Sequence, residues 1–276
     1  MVKYYSSINL THLIVGFSII LMACFVASCQ KPGVWNGKQA AVCLTYDDAL
    51  ESHLDSVIPL LEKYQFNATF YVPASFPGFE NNKPRWAEAA KAGHELGNHS
   101  LFHPCNGQLP GREWVMPEND LSTYSVKRFM EELTAENLIL SELDHLEQRT
   151  FAYTCGDMEA GGESFVEEIR KEFMGARGVE GKLESIEHID LNNIGSFVIM
   201  DHSGPEMIKL VDGAIKENSL IVFLFHGVGG DHSINVDTEA HAQLIGYLDQ
   251  HKEDIWVAPL REIVGFVSNN QPPGNK

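Results

Sequence analysis

Short apolar runs alternate with segments of amphipathic helical spacing along most of this 276-residue chain. About seven such alternations imply an α/β fold in which helices cover parallel strands, arranged either as a barrel or as an open sheet. Both arrangements place functional side chains at the carboxyl ends of the strands. The predicted strands are 40–46, 68–72, 150–154, 174–179, 197–200, 220–225 and 255–258, and the predicted helices are 53–64, 84–96, 122–149, 163–173, 205–216, 239–251 and 260–267.

The first 28 residues have the features of an export signal. Lys3 gives a positive start, an apolar stretch runs from Leu13 to Val26, and small residues precede Cys29. This pattern resembles a bacterial lipoprotein signal, in which the cysteine is lipidated after cleavage. A transmembrane anchor is the alternative, but the apolar stretch is short for a span of about 20 residues.

We therefore expect an exported protein that is lipid-anchored at Cys29 in the bacterial cell envelope. The length and the apolar fraction of 44% suffice for one large folded domain after the signal. The predicted organisation is 1–28 as the lipoprotein signal peptide, 29–39 as a tether, 40–268 as the main folded domain and 269–276 as a polar C-terminal tail.

The chain is strongly acidic, with 20 Lys and Arg residues against 38 Asp and Glu residues and a formal net charge of −18. Residues 1–28 contain one lysine and no acidic residue, so processing would leave 19 basic residues and a net charge of −19. This excess argues against nucleic acid and polyanionic substrates and fits a neutral or cationic substrate. We expect no nucleic-acid partner, and contact with a membrane only through the N-terminal lipid.

The five cysteines fall into different environments. Cys24 lies in the apolar stretch of the signal, Cys29 is the predicted lipid site, and Cys43 is expected to be a small core residue of a strand. Cys105 lies two residues after His103, and Cys155 directly follows the predicted strand 150–154, so both fall near candidate site residues. Because the spacing of the last three cysteines is not that of a disulfide framework, the sequence leaves open whether Cys105 and Cys155 pair.

Two adjacent carboxylates, Asp47 and Asp48, follow the apolar strand 40–46. Such a pair is costly to bury and repels itself, and a cation that neutralises one carboxylate is the simplest reason to keep both. Successive side chains on extended backbone point apart, so one aspartate can bind a metal while the other faces a reacting water. The alternative is an acidic turn that ends a strand or caps a helix.

His99 and His103 are four residues apart, a spacing that brings both rings to one side of a helical turn. One aspartate and two histidines, with a coordination position left open, make a hydrolytic metal site. Because the chain contains 12 histidines, some pair at this spacing is expected by chance. Two loop histidines with unrelated roles are therefore the alternative.

Two further residues have side chains suited to a site. His226 ends the apolar strand 220–225 beside a glycine-rich segment, where it is well placed as a general acid or base. A hydrogen-bonded structural histidine is the alternative. Trp114 lies in the loop 103–119, which is long enough to be functional. It could line a sugar-binding groove, or it could be tucked into the surface.

The motifs occur in a characteristic order: Thr45-Tyr46-Asp47-Asp48, then His99-Ser100-x-x-His103, then the segment from Phe151 to Gly156, then Leu224-Phe225-His226. This order resembles the polysaccharide deacetylase family, also called carbohydrate esterase family four, over roughly Val42 to Val267. The first two motifs and the last are specific in combination, whereas the third is weak. The resemblance implies a deformed seven-stranded (β/α) barrel and metal-dependent removal of acetyl groups from carbohydrate.

The resemblance also implies roles for individual residues. By position, Asp47 matches the general base, His226 the general acid, and Asp48, His99 and His103 the ligands of a divalent metal. The ligand types favour zinc, with cobalt or another divalent ion as the alternative. Residues expected around the oxyanion and the substrate are Thr154, Cys155 and Trp114, with a backbone N–H near Cys155 as an oxyanion donor.

The chain departs from the family pattern at several positions. The family usually has glycine where this chain has Ala49, and often aspartate where it has Gly227. Its third motif usually carries an arginine, thought to orient the base, where this chain has Ala152, and its Asp-x-x-x-Trp motif has no clear counterpart. Arg149 and Arg177 are the available substitutes for the arginine. We favour Arg177, which follows another predicted strand, with a surface arginine as the alternative.

The sequence therefore predicts a hydrolase that removes N- or O-linked acetyl groups from an acetylated carbohydrate polymer or oligomer. It does not separate an ester, as on xylan, from an amide, as on chitin-like oligomers or peptidoglycan. A catalytically inactive carbohydrate-binding surface lipoprotein is the alternative, supported by the altered third motif. The presence of both aspartates, both metal-site histidines and His226 favours catalysis, because a binding protein needs neither a base nor an acid.

Overall fold

The computed structural model describes residues 1–3 and 33–272, and the folded domain lies in the second range. The predicted signal segment, with Cys24 and the predicted lipidation site Cys29, lies outside the described residues. So do the last four residues of the predicted tail. No helix in the described ranges is long and apolar enough to cross a membrane.

Strands and helices alternate along the domain as the periodicity predicts. The strands are β1 Ala40–Asp47, β2 Thr69–Val72, β3 Glu95–Asn98, β4 Phe151–Ala152, β5 Glu159–Ala160, β6 Glu163–Ser164, β7 Ala176–Arg177, β8 Phe197–Val198, β9 Leu220–Phe225, β10 Gly227–Val228, β11 Asn235–Val236 and β12 Ile255–Val257. The α-helices are α1 Ile58–Lys63, α2 Pro77–Glu80, α3 Lys83–Lys91, α4 Val126–Asp144, α5 Val166–Glu172, α6 Gly204–Glu217, α7 Thr238–Gln250 and α8 Leu260–Asn270.

The main sheet is parallel and has β1 near its centre, in the order β7-β4-β3-β2-β1-β9-β8. An eighth strand, β12, pairs with the first half of β1, and β2 pairs with the second half. Residues 194–196 lead into β8 and hydrogen-bond to β7 and the residues after it: Ile194 donates to the Ala176 carbonyl, Gly178 donates to the Ile194 carbonyl, and Ser196 donates to the Glu180 carbonyl. These bonds join the two edges of the sheet. The predicted deformed seven-stranded barrel is thereby confirmed.

Strand β1 is buried along its whole length, which explains its apolar sequence. Alternate residues face opposite sides, because side chains on a strand alternate with a period of two. Tyr46 packs with the core beneath the helices, whereas Cys43, which is free, packs on the opposite side. Asp47 is four residues after Cys43 and therefore shares its face. Strand β1 thus places the Asp47 side chain at the carboxyl end of the sheet.

The predicted helix 84–96 is wrong at its C-terminal end. Helix α3 ends at Lys91, and the chain enters β3 at Glu95. Gly93 adopts a φ of +105°, which L side chains rarely adopt and which stops the helix. Strand β3 is not an apolar run, since it contains Glu95. This carboxylate can be buried because it accepts hydrogen bonds from Thr69 and Thr150. This missed strand directly precedes His99.

The ordered domain begins before Ala40. Trp35, which falls in the predicted tether 29–39, is fully buried, packs against Phe266 and donates from its indole N–H to the Asn218 carbonyl at 2.8 Å. Residues 33–39 therefore pack on the domain. At the other end, α8 continues to Asn270, two residues beyond the predicted boundary at 268.

Helix α4 buries Glu136, whose carboxylate accepts from the Ala74 N–H at 3.2 Å. Its other oxygen has no hydrogen-bond partner among the described residues. Burial raises the pKa of Glu136 from the ordinary value of 4.5 to about 9. The folded state therefore favours the protonated acid, so its contribution to stability is full below pH 4.5 and is lost as the pH rises towards 9.

We expect Glu136→Gln to stabilise the protein by about 1–3 kcal/mol at pH 8 and to change its stability little at pH 4.5. The amide is neutral at both pH values, so its burial carries no ionisation cost at the higher one. Thermal unfolding at the two pH values measures this difference. Glu142→Gln, at an exposed position of the same helix, is the control. An equal stability change at both pH values would contradict the ionisation argument.

Candidate active site

The two aspartates stand at the point where β1 ends. Asp48 and Ala49 both have positive φ values, 77° and 50°, so the chain turns sharply there. The backbone N–H of Asp48 donates to the Tyr71 carbonyl of the neighbouring strand at 3.1 Å, which fixes the turn. Left-handed backbone costs an alanine about 1 kcal/mol or more, a cost that glycine avoids. This explains physically why glycine suits position 49.

The Asp48 carboxylate meets the two predicted histidine ligands. Its Oδ1 lies 3.8 Å from His99 Nε2 and 3.6 Å from His103 Nε2, and the three atoms all lie within 4.8 Å of one another. Ligands of a tetrahedral zinc ion, at bond lengths of about 2.1 Å, are roughly 3.4 Å apart. Asp48 Oδ1 is buried and has no hydrogen-bond partner among the described residues. A cation between these atoms would satisfy it, so the residues present fit a divalent metal.

His99 is fixed in the tautomer that a metal requires. Its Nδ1 is 2.9 Å from the Ala152 carbonyl oxygen, which can only accept, so the ring donates from Nδ1 and keeps a lone pair on Nε2. Burial lowers the pKa of His99 to about 4, which leaves the ring neutral at neutral pH.

His103 reaches the same site from a turn that is not helical. The Ser100 N–H donates to the Asn98 side chain at 2.8 Å, and the His103 N–H donates to the Ser100 hydroxyl at 3.1 Å. This polar turn returns the chain so that the His103 ring meets the His99 ring edge to face, with 4.7 Å between centroids. The spacing of four residues brings the rings together as expected, through a loop.

Arg177 contacts the first aspartate. Its Nη2 lies 2.5 Å from Asp47 Oδ2, and both side chains are buried. In the sheet register, Arg177 on β7 is the direct partner of Ala152 on β4, so the guanidinium comes from the strand next to the one where the family carries its arginine. Burial by itself would raise the pKa of Asp47, but Arg177, His99 and His226 outweigh it and lower the pKa.

Arg149, the other candidate, is used elsewhere. It is buried against Asp144, at 2.8 Å, and it donates to the Leu96 carbonyl at 2.7 Å. These contacts fix the segment that follows α4. The side chain is not among those that line the cavity around Asp47.

Two histidines stand on the other side of Asp48. His226 follows β9, and its Nε2 is 3.9 Å from Asp48 Oδ2. Burial lowers the pKa of His226. His232 was not predicted from the sequence, yet its Nε2 is also 3.9 Å from Asp48 Oδ2. The glycines at 227, 229 and 230 were the available signal, because a segment so rich in glycine can turn back and return a nearby side chain to the strand end.

The three residues predicted around the substrate have different positions. Trp114 is 60% exposed and lines the cavity, as does Cys155. Cys155 forms a disulfide with Cys105, which joins the loop after His103 to the loop after β4. Thr154 is buried, and its hydroxyl donates to the Pro104 carbonyl at 2.6 Å, so its side chain serves the packing of these loops.

The site opens into a cavity of about 310 Å³ at the carboxyl end of the sheet. Its floor carries charged and titratable groups, and its rim includes the half-exposed apolar side chains of Trp114, Val179 and Val198. A carboxylate paired with arginine, a three-residue set of metal-ligand type and an imidazole opposite them are the components of metal-assisted hydrolysis. Fold and site together define the class of parallel (β/α)-barrel proteins with an Asp-His-His metal-type site.

Within this class, the chain is similar to the polysaccharide deacetylase family. Residues 36–169 match the family described as Polysaccharide deacetylase. The recognition made from the four motifs is therefore confirmed.

Curated relatives match at lower identity. A gellan lyase of a Bacillus species is 24% identical over 258 residues, and a Bacillus subtilis protein known as YlxY is 29% identical over 104 residues. These matches cover 83% and 38% of this chain. The chain itself spans 9% and 27% of the two relatives.

Solved structures share the fold at low sequence identity. A Mycobacterium smegmatis protein assigned to the polysaccharide deacetylases has a TM-score of 0.59 at 12% identity, covering 86% of this chain and 93% of its own. Bacillus subtilis PdaA, a family 4 carbohydrate esterase, has a TM-score of 0.52 at 15% identity, covering 82% and 81%. A Clostridium thermocellum acetyl xylan esterase in complex with cobalt has a TM-score of 0.51 at 15% identity, covering 84% and 93%.

Proposed function

We propose that this chain is a metal-dependent hydrolase that removes N- or O-linked acetyl groups from a carbohydrate polymer or oligomer. One observation carries the proposal. Asp48 Oδ1 is buried near two imidazole nitrogens without a hydrogen-bond partner in the described part of the chain, and the Asp47–Arg177 pair lines the same cavity. An acidic turn that only ends a strand would not require this arrangement, whereas metal-assisted hydrolysis requires both the metal-ligand set and the paired carboxylate. The match to the polysaccharide deacetylase family over residues 36–169 supports acetylated carbohydrate as the substrate.

Asp48, His99 and His103 would hold the metal, and their two nitrogens and one oxygen favour zinc. When bound, a divalent ion would lower the pKa of water and polarise the acetyl carbonyl. The cobalt ion belongs to the Clostridium thermocellum esterase, and cobalt or another divalent ion remains the alternative here.

The remaining residues move and hold protons. Asp47 accepts the proton of the attacking water, because Arg177 keeps this carboxylate ionised and oriented. His226, on the opposite side of Asp48, protonates the leaving sugar nitrogen or oxygen. A backbone N–H near Cys155 is proposed as a donor to the oxyanion, on the loop that the disulfide fixes.

Release of acetate tests the proposal. Acetylated xylan, chitooligosaccharides and peptidoglycan are incubated with the metal-loaded protein, with and without a chelator. We expect release from at least one substrate, and its loss on chelation with recovery when zinc is added back. The alternative is a catalytically inactive carbohydrate-binding lipoprotein. Saccharide binding by the metal-loaded protein without acetate release from any substrate would favour that alternative.

We expect Arg177→Met to lower kcat about 100-fold near neutral pH and to move the acidic limb of the pH–rate profile to higher pH. Without the guanidinium, burial would raise the pKa of Asp47, so a smaller fraction of the base would be ionised. Arg177→Lys keeps the charge without the planar donors, so its kcat should lie between those of the wild type and Arg177→Met. Arg170→Met, at an exposed position of α5, is the control. An unchanged pH profile would contradict the assignment.

We also propose export and lipid anchoring at Cys29. The Cys105–Cys155 disulfide supports export, because such bonds persist in oxidising compartments. We expect Cys29→Ala, expressed in a bacterial host, to lose labelling by a radioactive fatty acid and to leave the detergent-soluble membrane fraction. Cys24→Ala is the matched control within the same segment. Equal labelling of Cys29→Ala and the wild type would exclude Cys29 as the lipidated residue.

A further inference from the structure

A second histidine borders the cavity beside His226. His232 lies in the loop between β10 and β11, and its ring stacks on that of His226 with 4.7 Å between centroids and 14° between planes. Its side chain is 30% exposed. None of the motifs that carry the family resemblance includes His232, and the proposed mechanism gives it no role.

Hydrogen bonds fix the loop that carries His232. The Asp231 carboxylate accepts from the Ser52 N–H at 2.7 Å, which joins the loop to the segment after β1. The Asn235 side chain accepts from the Gly230 N–H at 2.9 Å, which closes the loop on itself. The His232 ring is therefore presented to the cavity from a constrained backbone.

The tautomer of His232 follows from its own loop. His232 Nδ1 lies 3.0 Å from the Ile234 N–H and 3.4 Å from the Ile234 carbonyl oxygen, so the shorter contact, in which the N–H donates, makes Nδ1 an acceptor. A neutral ring in this arrangement carries its proton on Nε2. His99 has the opposite arrangement, with Nδ1 donating and a lone pair on Nε2. His232 is therefore arranged as a hydrogen-bond donor to the cavity, and His99 as a metal ligand.

The donor points to the side of Asp48 that the metal ligands do not use. Asp48 Oδ1 faces His99 and His103, whereas Oδ2 lies 3.9 Å from both His226 Nε2 and His232 Nε2. A separation of 3.9 Å is too long for a direct hydrogen bond but accommodates an intervening polar atom. Because His226 is the proposed acid for the leaving atom, the His232 donor lies on the sugar side of the scissile bond.

We propose that His232 is a substrate-binding residue that donates a hydrogen bond from Nε2 to a hydroxyl oxygen of the sugar unit carrying the acetyl group. This inference rests on the proposed function and adds to it a determinant of sugar recognition. The acetyl group contacts the Asp47 and metal-ligand side, and the sugar contacts His232. The residue therefore discriminates acetylated saccharides from acetyl esters that lack sugar hydroxyls, such as p-nitrophenyl acetate.

Two substitutions at His232 distinguish the effect of its N–H donor from the effect of its stacked ring. His232→Phe keeps an aromatic ring against His226 without a donor, and His232→Gln keeps an N–H donor without the aromatic ring. We expect His232→Phe to lower kcat/KM for acetylated xylooligosaccharides or chitooligosaccharides about 3- to 10-fold, mainly through KM, as for one neutral hydrogen bond. Turnover of p-nitrophenyl acetate should change less than twofold. His232→Gln should stay within about threefold of the wild type on both substrates.

Several outcomes would overturn the inference. Equal losses on the saccharide and on p-nitrophenyl acetate would assign His232 a structural role, and unchanged kinetics on both would assign it none. A loss for His232→Gln as large as that for His232→Phe would exclude the donor. His188→Phe, at an exposed histidine outside the cavity, controls for a general effect of the substitution.

A binding measurement keeps this test independent of turnover. Calorimetric titration of chitooligosaccharide and xylooligosaccharide into the metal-loaded Asp47→Asn protein, with and without His232→Phe, gives the dissociation constants. We expect about 3- to 10-fold weaker binding with the phenylalanine. Equal constants would overturn the role of His232. Absence of turnover in the wild type, with the expected difference in binding retained, would instead overturn the proposed hydrolysis alone.

Discussion

Asp48→Ala is expected to remove the bound metal and to lower kcat/KM for acetate release by at least about a thousandfold. Asp48 Oδ1 is the atom that lies between the two imidazole nitrogens, at 3.8 Å from His99 and 3.6 Å from His103. Without the carboxylate, the two imidazoles lack both the third ligand and the negative charge that holds a divalent cation. Metal affinity and turnover should therefore fall together.

The substitution should leave the fold intact. Asp48 lies beside a second buried carboxylate, that of Asp47, so in the metal-free protein its removal relieves repulsion. We expect the metal-free variant to unfold at or above the temperature of the metal-free wild type. The wild type should be stabilised further by zinc, and the variant should not, because a ligand stabilises only the state that binds it.

Metal content per chain, measured by elemental analysis after dialysis, checks this prediction directly. His99→Ala and His103→Ala should give the same joint loss. Asp55→Ala, which removes an exposed carboxylate paired with Arg85, is the matched control and should keep both metal and activity. Full metal content in Asp48→Ala would show that the ion is held by other groups.

The sequence predicts the central strands well and the polar strand poorly, for a physical reason. Strands β1 and β9 are buried on both faces, and their apolar runs match the structure within one residue. Strand β3 is equally buried, but its Glu95, Gly97 and Asn98 are accommodated by hydrogen bonds and close packing that only the tertiary structure supplies. A pattern of apolar residues cannot reveal such a strand.

The candidate site likewise contains residues that the sequence predicts and residues that only the tertiary structure reveals. Asp47, Asp48, His99, His103 and His226 occur in motifs whose order is visible in the sequence, and the structure brings all five side chains into one cavity. The choice between Arg149 and Arg177 cannot be made from the order of the motifs alone.

The choice of Arg177 follows from the sheet register, which pairs it with Ala152. Since Arg149 forms its ion pair with Asp144, it is not available to the base. The sequence favours Arg177 by its position after a strand, but the contact with Asp47 depends on long-range pairing. The same holds for His232 and for the Cys105–Cys155 disulfide, both of which depend on how loops return to the strand ends.

Asp47→Asn is expected to lower kcat about a thousandfold while the metal stays bound, since general base catalysis contributes about 10²–10⁴-fold. The amide has the shape of the carboxylate but cannot take a proton from water near neutral pH. Asp48, His99 and His103 are unchanged in this variant, so metal content should stay within experimental error of the wild type. Although the two aspartates are adjacent in sequence, substitution of Asp47 should lower turnover without loss of the metal, whereas substitution of Asp48 should lower both metal binding and turnover.

The Asp47 substitution also leaves Arg177 without its buried counter-charge. Removing one partner of such a pair costs about 3–5 kcal/mol, so Asp47→Asn should unfold at lower temperature than the wild type. The double variant Asp47→Asn with Arg177→Met should recover much of that stability, because neither charge remains buried alone, yet it should recover no turnover. Thermal unfolding, metal analysis and acetate release on the same preparations separate the three effects. Loss of the metal from Asp47→Asn would instead make Asp47 a ligand, and near-normal turnover would exclude it as the base, because no other described carboxylate lies against both His99 and Arg177.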